Sequence, residues 1–482
     1  MTSTVVAAEH VVHLPRHEVF ALFGSSESSG WLFGARCDHV VEGAAVSMCL
    51  PVGDGPDRES LDLLGRFSRV VPGSLVVVEH TQPWPGRLSV RFTSVDPTRT
   101  RVRVRASVPP AGLRWLLHRV GVPLPEPPDD GSLRVGAITT MSGPGAIYSV
   151  SAEAMAELAV AEVNDDGGVA GRRLTLLTAD DATDADQAAF EARRMVRLGC
   201  RAIFVNSTSA SFDAVRAAVE PSGVLLVHSL INEGGGDSPT VLRLGERPRA
   251  QLEALVAPTM RATGGRQWFL VGQDYVWSRG AHRDARRVVA AAGGRVVGET
   301  LTPLGTTDFS AIIETLQRSG ADLVLSSLVG ADEVAFERAS LRAGLRDTVR
   351  TVTLVLDEAT LSHMGERAAE GLRTALGYFQ DGPVTGNADL LARYRAARGT
   401  WAPPITTLSE TVYEAIHQYA RVVHGDPDGT AAEHVRAWRG RRAALRGADV
   451  VGSRDLLVPR LYTAEASRAS LVIDGAAEPS AP

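Results

Sequence analysis

Lysine is absent from the 482 residues, and every one of the fifty basic side chains is arginine. That removes the Walker-type phosphate loop, whose lysine must reach the β- and γ-phosphates, and any lysine Schiff-base nucleophile. Cysteine is scarce. Cys37, Cys49 and Cys200 are odd in number and far apart, so neither a disulfide framework nor a metal-ligand cluster follows from them. They are expected as small buried hydrophobes. No apolar run approaches the ~20 residues that span a bilayer, so no membrane insertion is expected. The opening MTSTVVAAEHVVHLPRHEVF lacks a basic segment followed by an unbroken apolar run, which is not the pattern of a signal peptide. The cytoplasm is the expected compartment, with the extracellular or periplasmic face as the alternative. A net charge of -6 gives no reason to expect nucleic acid or an anionic membrane as partner.

The length exceeds what one core serves and points to two or three domains. Up to about residue 120 the chain reads as alternating strands, such as Leu75–His80 and Arg101–Ala106, with helices around 16–23 and 111–120. In the second strand arginine alternates with valine and alanine, the period of a half-buried antiparallel strand. Residues 121–132 carry four prolines and no apolar periodicity, as a semi-rigid linker does. From Leu133 the rhythm becomes strand–helix–strand. Strands are expected at 133–138, 174–177, 202–205, 224–227, 268–271, 295–302, 323–325 and 351–356. These runs are short and mostly apolar on both faces, which suits parallel strands covered by helices. Two sheets suit some 350 residues better than one of eight or more strands. Met155, Ala159 and Val163 mark one helix face, and Asp184 stands where it would cap the next helix. The fold class expected is therefore α/β: two Rossmann-like lobes with parallel sheets over 133–465. A small α+β domain over 1–120 precedes them, and a flexible tail over 466–482 follows.

In open α/β sheets ligands meet the loops beyond the carboxyl ends of the strands. The first such loop is Thr139–Tyr148 and the third is Asn206–Ser211, directly before a helix. Hydroxyl side chains and free N–H groups at a helix start bind a carboxylate, carbonyl or amide oxygen, and they equally serve as N-caps. The fourth loop runs from His228 to Glu233; a lone histidine there is either a satisfied structural residue or a contact. After Val271 come Tyr275 and Trp277, two residues apart, which suit pocket walls or core packing. No spacing suggests a catalytic triad, and His10, His13 and His17 straddle Pro15, so no metal site is expected there. The string Asp180, Asp181, Asp184 and Asp186 lacks the glycine and terminal glutamate of an EF-hand. It reads as a solvated loop and a helix cap.

Several of these segments together resemble a known family. The stretch Met141–Tyr148 is similar to the first ligand loop of type I periplasmic binding proteins of the branched-chain amino-acid kind. Asn164–Gly171 is similar to that family's N-x-x-G-G-V-x-G turn. Gly272-Gln-Asp-Tyr-Val-Trp277 and Pro303-Leu-Gly-Thr-Thr-Asp-Phe-Ser310 resemble motifs of its urea and short-chain-amide branch, and Ala369-Glu-Gly371 a later signature. The resemblance covers nearly all of 133–465. It implies two lobes closing on a small polar ligand (a short-chain amide, urea or an amino acid), no enzymatic activity and no cofactor. By position it places Tyr148, Ser209, Tyr275 and Trp277 on ligand-contact sites, with His228 and Ser229 in the contact loop. Trp277 stands where the amide branch has tyrosine, and His228 also replaces an aromatic, which leaves the ligand open. Asp357, with Glu358, lies near where amino-acid binders keep an acidic partner for the ammonium, and also where a helix N-cap belongs. More faintly, residues 1–120 resemble helix-grip domains related to the Hsp90-ATPase activator and START lipid-binding proteins, on the helix with Val19, Phe20 and Phe23, then Trp31. Two roles follow. The first expectation is a cytoplasmic ligand sensor acting on a regulatory protein partner; the second is the extracellular receptor of an ABC transporter permease. A homo-oligomer is compatible with both.

Overall fold

The alternation of arginine with apolar residues builds an antiparallel sheet in the N-terminal part. Its strands are β1 (Thr4–Val12), β2 (Ala45–Val52), β3 (Glu59–Val71), β4 (Leu75–Gln82), β5 (Gly86–Asp96) and β6 (Arg99–Val108). They lie in the order β1-β6-β5-β4-β3-β2. On β6, Thr100 and Val102 are buried while Arg99, Arg101 and Arg103 face out. Arg101 and Arg103 both reach Glu9 on the neighbouring β1, at 2.8 and 2.6 Å. The core forms where the helix Arg16–Ala21 brings Val19 and the following Phe23 onto the sheet. Phe23 meets Phe67 and Phe92 edge-on at 6.1 and 6.5 Å, the arrangement that aromatic quadrupoles favour. After β6 the helix Pro110–Arg119 places Trp115 against Trp84, ring centres 5.3 Å apart.

The computed structural model describes residues 3–23, 34–52, 59–123, 130–235, 238–439, 451–453, 456–458 and 460–477. Trp31 and the middle of the proline-rich linker lie outside the described residues. The chain divides into two units, Met1–Pro127 with Gly399–Pro403, and Pro128–Arg398 with Pro404–Pro482.

The second unit consists of two lobes. Lobe one is built on β7 (Leu133–Thr139), β8 (Leu174–Asp180), β9 (Ala202–Asn206), β10 (Leu225–Ser229) and β11 (Val241–Leu244). Lobe two is built on β12 (Gln267–Gln273), β13 (Arg295–Thr302), β14 (Leu323–Ser327), β15 (Arg350–Thr353) and β16 (Arg373–Leu376). Within each set all pairings are parallel. Central strands such as Ala202–Asn206 are buried at every residue, because helices cover both faces. The end of the chain then adds strands to both sheets. β17 (Val451–Ser453) and β18 (Leu456–Val458) join lobe one beside β11, and β19 (Leu461–Ser467) and β20 (Ser470–Ala477) join lobe two beside β16.

The two lobe sheets are parallel as expected, and only the strands added by the end of the chain bring antiparallel pairs, β16–β19, β19–β20 and β17–β18. One expectation is corrected: residues 466–482 are not a tail throughout, since 470–477 form β20. Leu471 and Ile473 pack on the lobe-two core, and Asp474 pairs with Arg373. The alternation in Ser470-Leu-Val-Ile-Asp474 is that of a half-covered edge strand.

Helix Ala152–Asp165 buries Met155, Ala159 and Val163, and the Asp184 carboxylate caps Ala185–Arg197 by accepting from the Gln187 N–H at 2.8 Å. The chain crosses between lobes three times, after β11, after β16 and between β18 and β19. Glu246, at the first crossing, accepts from the Gly377 N–H at 2.6 Å and from the Thr407 hydroxyl. The first crossing is thereby tied to the starts of the segments at Gly377 and Thr407. Among the described residues no helix is long and apolar enough to cross a membrane.

Candidate ligand-binding cleft

The carboxyl ends of β7, β8 and β9 in lobe one gather hydroxyls around one buried acid. Asp181, fully buried, accepts hydrogen bonds from Thr140 Oγ1 at 2.9 Å, from Ser211 Oγ at 2.6 Å and from the Ser207 hydroxyl. Thr140 Oγ1 also lies 3.2 Å from the Tyr148 hydroxyl. Burial pushes the Asp181 carboxyl up to about 6, against the pull of its hydroxyl donors. Burial, then the nearby Asp181, also raises the Tyr148 phenol, so it stays a neutral donor. The solvated loop expected at Asp180–Asp181 is therefore corrected. Asp180 accepts from the N–H groups of Met141, Ser142 and Ala182 and from Ser142 Oγ, which pins the first loop. Within that loop Gly143 has φ +81°, and a Cβ there would come 2.3 Å from the Ala182 carbonyl. Only glycine fits.

Ser209 opens the helix Ser209–Val219, whose N-cap is Thr208. Its hydroxyl donates to Glu233 Oε2 at 2.6 Å. His228 and Ser229 are not loop residues, as the sequence suggested, but the last two residues of β10. The His228 ring lies flat on Phe212, centroids 4.2 Å apart, and its Nε2 donates to the Ser207 carbonyl at 3.0 Å. Burial lowers it to about 3, so the imidazole is neutral and braces the helix start. Ser229 is fully buried and donates to the Val205 carbonyl at 3.4 Å. Both are as deeply buried as Tyr148 and Ser209.

Lobe two answers with aromatics. Tyr275 is the N-cap residue of the helix Val276–Ala291, and its ring lies 6.2 Å from that of Trp277 at 28°. Trp277 belongs to one apolar cluster with Tyr148, Leu230 and Ile231, so side chains of both lobes meet there. Burial, followed by the nearby Tyr148, Glu233 and Asp332, raises the Tyr275 phenol. Asp332 holds the motif at 303–308: its Oδ2 accepts from Gln273 Nε2 at 2.9 Å and from the N–H groups of Gly305 and Thr306 at 2.9 and 3.1 Å. The Ala331 N–H donates to the Pro144 carbonyl at 3.1 Å, and a Cβ on Gly330 (φ +60°) would come 2.5 Å from that oxygen. The rims of the two lobes are in contact, as in a closed hinge protein. Asp357 caps the helix Glu358–Met364 through the Thr360 N–H at 2.8 Å. Its other oxygen has no hydrogen-bond partner within the protein, and the same holds for the Trp277 indole N–H. Burial pushes Asp357 up to about 6.

Tyr148, Ser209, Tyr275 and Trp277 thus converge between the lobes, and Asp357 borders them from the helix that packs beside Tyr148. Sequence reasoning missed Glu233 as a contact and Asp181 as the centre of the hydroxyls. The clue for Asp181 was present, because Thr140, Ser207 and Ser211 all follow strands that a parallel sheet sets side by side. Among the described residues no three side chains are placed to hold a metal ion.

Comparison with known proteins agrees with this geometry. Curated relatives include Leu/Ile/Val-binding protein BraC3 of Rhizobium johnstonii, 28% identical over 40% of this chain and 53% of that protein. Another is Leu/Ile/Val-binding protein homolog 8 of Brucella abortus, 28% identical over 44% of this chain and 56% of that protein. The chain spans about half the length of these relatives. Among solved structures, a solute-binding protein of an ABC transporter from Rhodopseudomonas palustris, in complex with p-hydroxybenzoic acid, superposes with a TM-score of 0.66. It is 20% identical and covers 72% of this chain and 97% of its own. LivJ of Streptococcus pneumoniae, in complex with isoleucine, gives 0.63 at 17% identity, over 72% and 98%. At such identities these structures establish the fold. The family model for periplasmic binding proteins matches residues 132–468, and the chain belongs to that family.

Proposed function

We propose that the cleft between the lobes binds one small polar molecule, a short-chain amide, urea or an amino acid, and that the protein serves as the solute receptor of an ABC transporter. One observation carries the binding reading. Tyr148, whose hydroxyl meets the hydroxyls fixed on buried Asp181 in lobe one, shares one cluster with the two aromatic rings of lobe two, and the lobe rims are in contact. Such a site combines apolar walls with a few placed polar groups. The transport reading is supported by the names of the relatives, which are binding proteins and solute-binding components of ABC transporters. They shift the balance from the cytoplasmic sensor, the first expectation from sequence, to the transport receptor, the second. Cell fractionation separates the two, since a sensor stays in the cytoplasm and a receptor is recovered secreted or bound at the outer face.

A thermal-shift screen with amides, urea, amino acids and hydroxybenzoates tests the binding reading. A ligand of the native state alone stabilises by about 2.7 kcal/mol at a hundredfold excess over Kd. For an amide of four heavy atoms the ceiling is roughly -6 kcal/mol, a Kd of tens of micromolar at best. A flat response across the screen, with the protein folded, would refute this choice of ligand classes.

A further inference from the structure

We infer that Glu233 sets the charge preference of the cleft: its carboxylate occupies the anion seat at the start of the helix Ser209–Val219, so among the ligand classes proposed above the protein takes those with a neutral or donor-rich head, the amides and urea, and turns carboxylates away, amino acids included. The inference rests on the cleft being the ligand site. Glu233 follows β10 and lies between the lobes. Its Oε2 accepts the Ser209 hydroxyl at 2.6 Å. On the other side its Cβ lies 3.4 Å from where a Cβ on Gly280, in the lobe-two helix Val276–Ala291, would stand. It also acts electrostatically on Tyr275 and on buried Arg247. A helix start with a hydroxyl is a seat for an anion, and here the chain supplies that anion itself.

The neighbouring groups point the same way. Arg247, the cation that Glu233 acts on, gives its terminal nitrogens to the Asn232 side chain and to the carbonyls of Asn232 and Arg243, its Nε alone having no partner. One acceptor left without a partner at the cleft border is the second oxygen of Asp357, itself almost wholly buried. A ligand carboxylate set against Ser209 would meet Glu233 head-on, and like charges within a few ångströms repel. A carboxamide or amine instead donates to Glu233 and Asp357. Removing Glu233 would free the Ser209 hydroxyl and the helix start together, and leave the Arg247 charge to favour an anion.

The test is isothermal titration of two matched pairs, leucine with leucinamide and 4-hydroxybenzoate with 4-hydroxybenzamide. They are titrated against the full chain and its Glu233→Ala and Glu233→Gln variants. The wild type is expected to favour the amide of at least one pair by tenfold or more. Glu233→Ala should bind the matching carboxylate at least tenfold more tightly than the wild type does, and Glu233→Gln should lose most of the preference. Equal or tighter wild-type binding of the carboxylates overturns the inference, as does a folded Glu233→Ala protein that gains no carboxylate binding. If Glu233→Ala does not fold, an unchanged preference in Glu233→Gln overturns it alone. Tyr275→Ala separates this from the cleft reading. Binding that ignores Tyr275 means the ligand sits elsewhere, whereas binding that depends on Tyr275 but not on Glu233 sinks only the charge preference.

Discussion

The two lobes share a fold but meet the cleft with different chemistry. Lobe one presents Thr140, Tyr148, Ser207 and Ser211, whose hydroxyls are oriented by each other and by one buried carboxylate. Lobe two presents Tyr275 and Trp277 as a wall, with its acid Asp332 turned to backbone N–H groups. The difference assigns the work. Under the proposed reading lobe one fixes which polar group is recognised, because its hydroxyls cannot rotate without breaking a shared network. Lobe two would supply apolar area and shape. Changes in lobe two should therefore act through packing, and changes in lobe one through hydrogen bonding and pH.

The sharpest way to break that contrast is Trp277→Ala. Trp277 is almost fully buried in the largest lobe-two cluster, and truncating a core tryptophan costs about 3–5 kcal/mol. Urea unfolding should show this loss with little dependence on pH. A cost below about 1 kcal/mol would mean that the ring is a free cleft wall and not core.

Asp181→Asn is the counterpart in lobe one. The folded Asp181 carboxyl lies near 6 against an ordinary 3.8, so the folded state binds the extra proton between these values. Its contribution to stability is full below pH 4 and is lost as pH rises through about 6. Two units correspond to about 3 kcal/mol. Wild-type stability minus that of Asp181→Asn should fall across this window, measured by urea midpoints at pH 4, 5, 6 and 7. A flat difference would show that the hydroxyl donors offset the burial.

These two residues also show what the sequence could and could not convey. The strand–helix rhythm placed the core strands of both lobes to within a few residues, since continuous apolar runs between turns have few other uses. It missed β11 (Val241–Leu244) and β16 (Arg373–Leu376), four residues each, and the C-terminal strands, whose partners are distant in sequence. Ser209, Tyr148 and the two aromatics were legible because they follow strands in a parallel sheet. Asp181 was passed over although Thr140, Ser207 and Ser211 pointed to it, because its burial depends on three loops meeting over it. Trp277 faced two ways on paper, and in the structure its ring both lies beside Tyr275 and packs in the cluster shared with Tyr148, Leu230 and Ile231.

A smaller effect is expected at Asp332→Ala, which removes the shared acceptor of Gln273, Gly305 and Thr306. Unsatisfied donors cost about 1–3 kcal/mol when buried, and the partial exposure of this turn puts the expected loss near 2 kcal/mol. Hydrogen exchange at 303–308 should speed up more than at β12 or β14. Equal acceleration throughout lobe two would mean that Asp332 supports the lobe and not the turn.

The smallest expected effect lies at Ser209→Ala, and it is the finest probe of lobe one. A single neutral-to-charged hydrogen bond contributes about 1.5 kcal/mol or somewhat more, but Glu233 is only half-buried and can turn to water when the hydroxyl is lost. The net loss of stability should therefore be near 1 kcal/mol. The informative quantity is the coupling with Glu233→Gln. If the 2.6 Å contact is energetically real, the double variant should lose less than the sum of the two singles, by about 0.5 kcal/mol or more. Strict additivity would show that Ser209 and Glu233 act independently. The hydroxyl would then be left to the ligand, and lobe one would recognise its polar group through Ser209 alone.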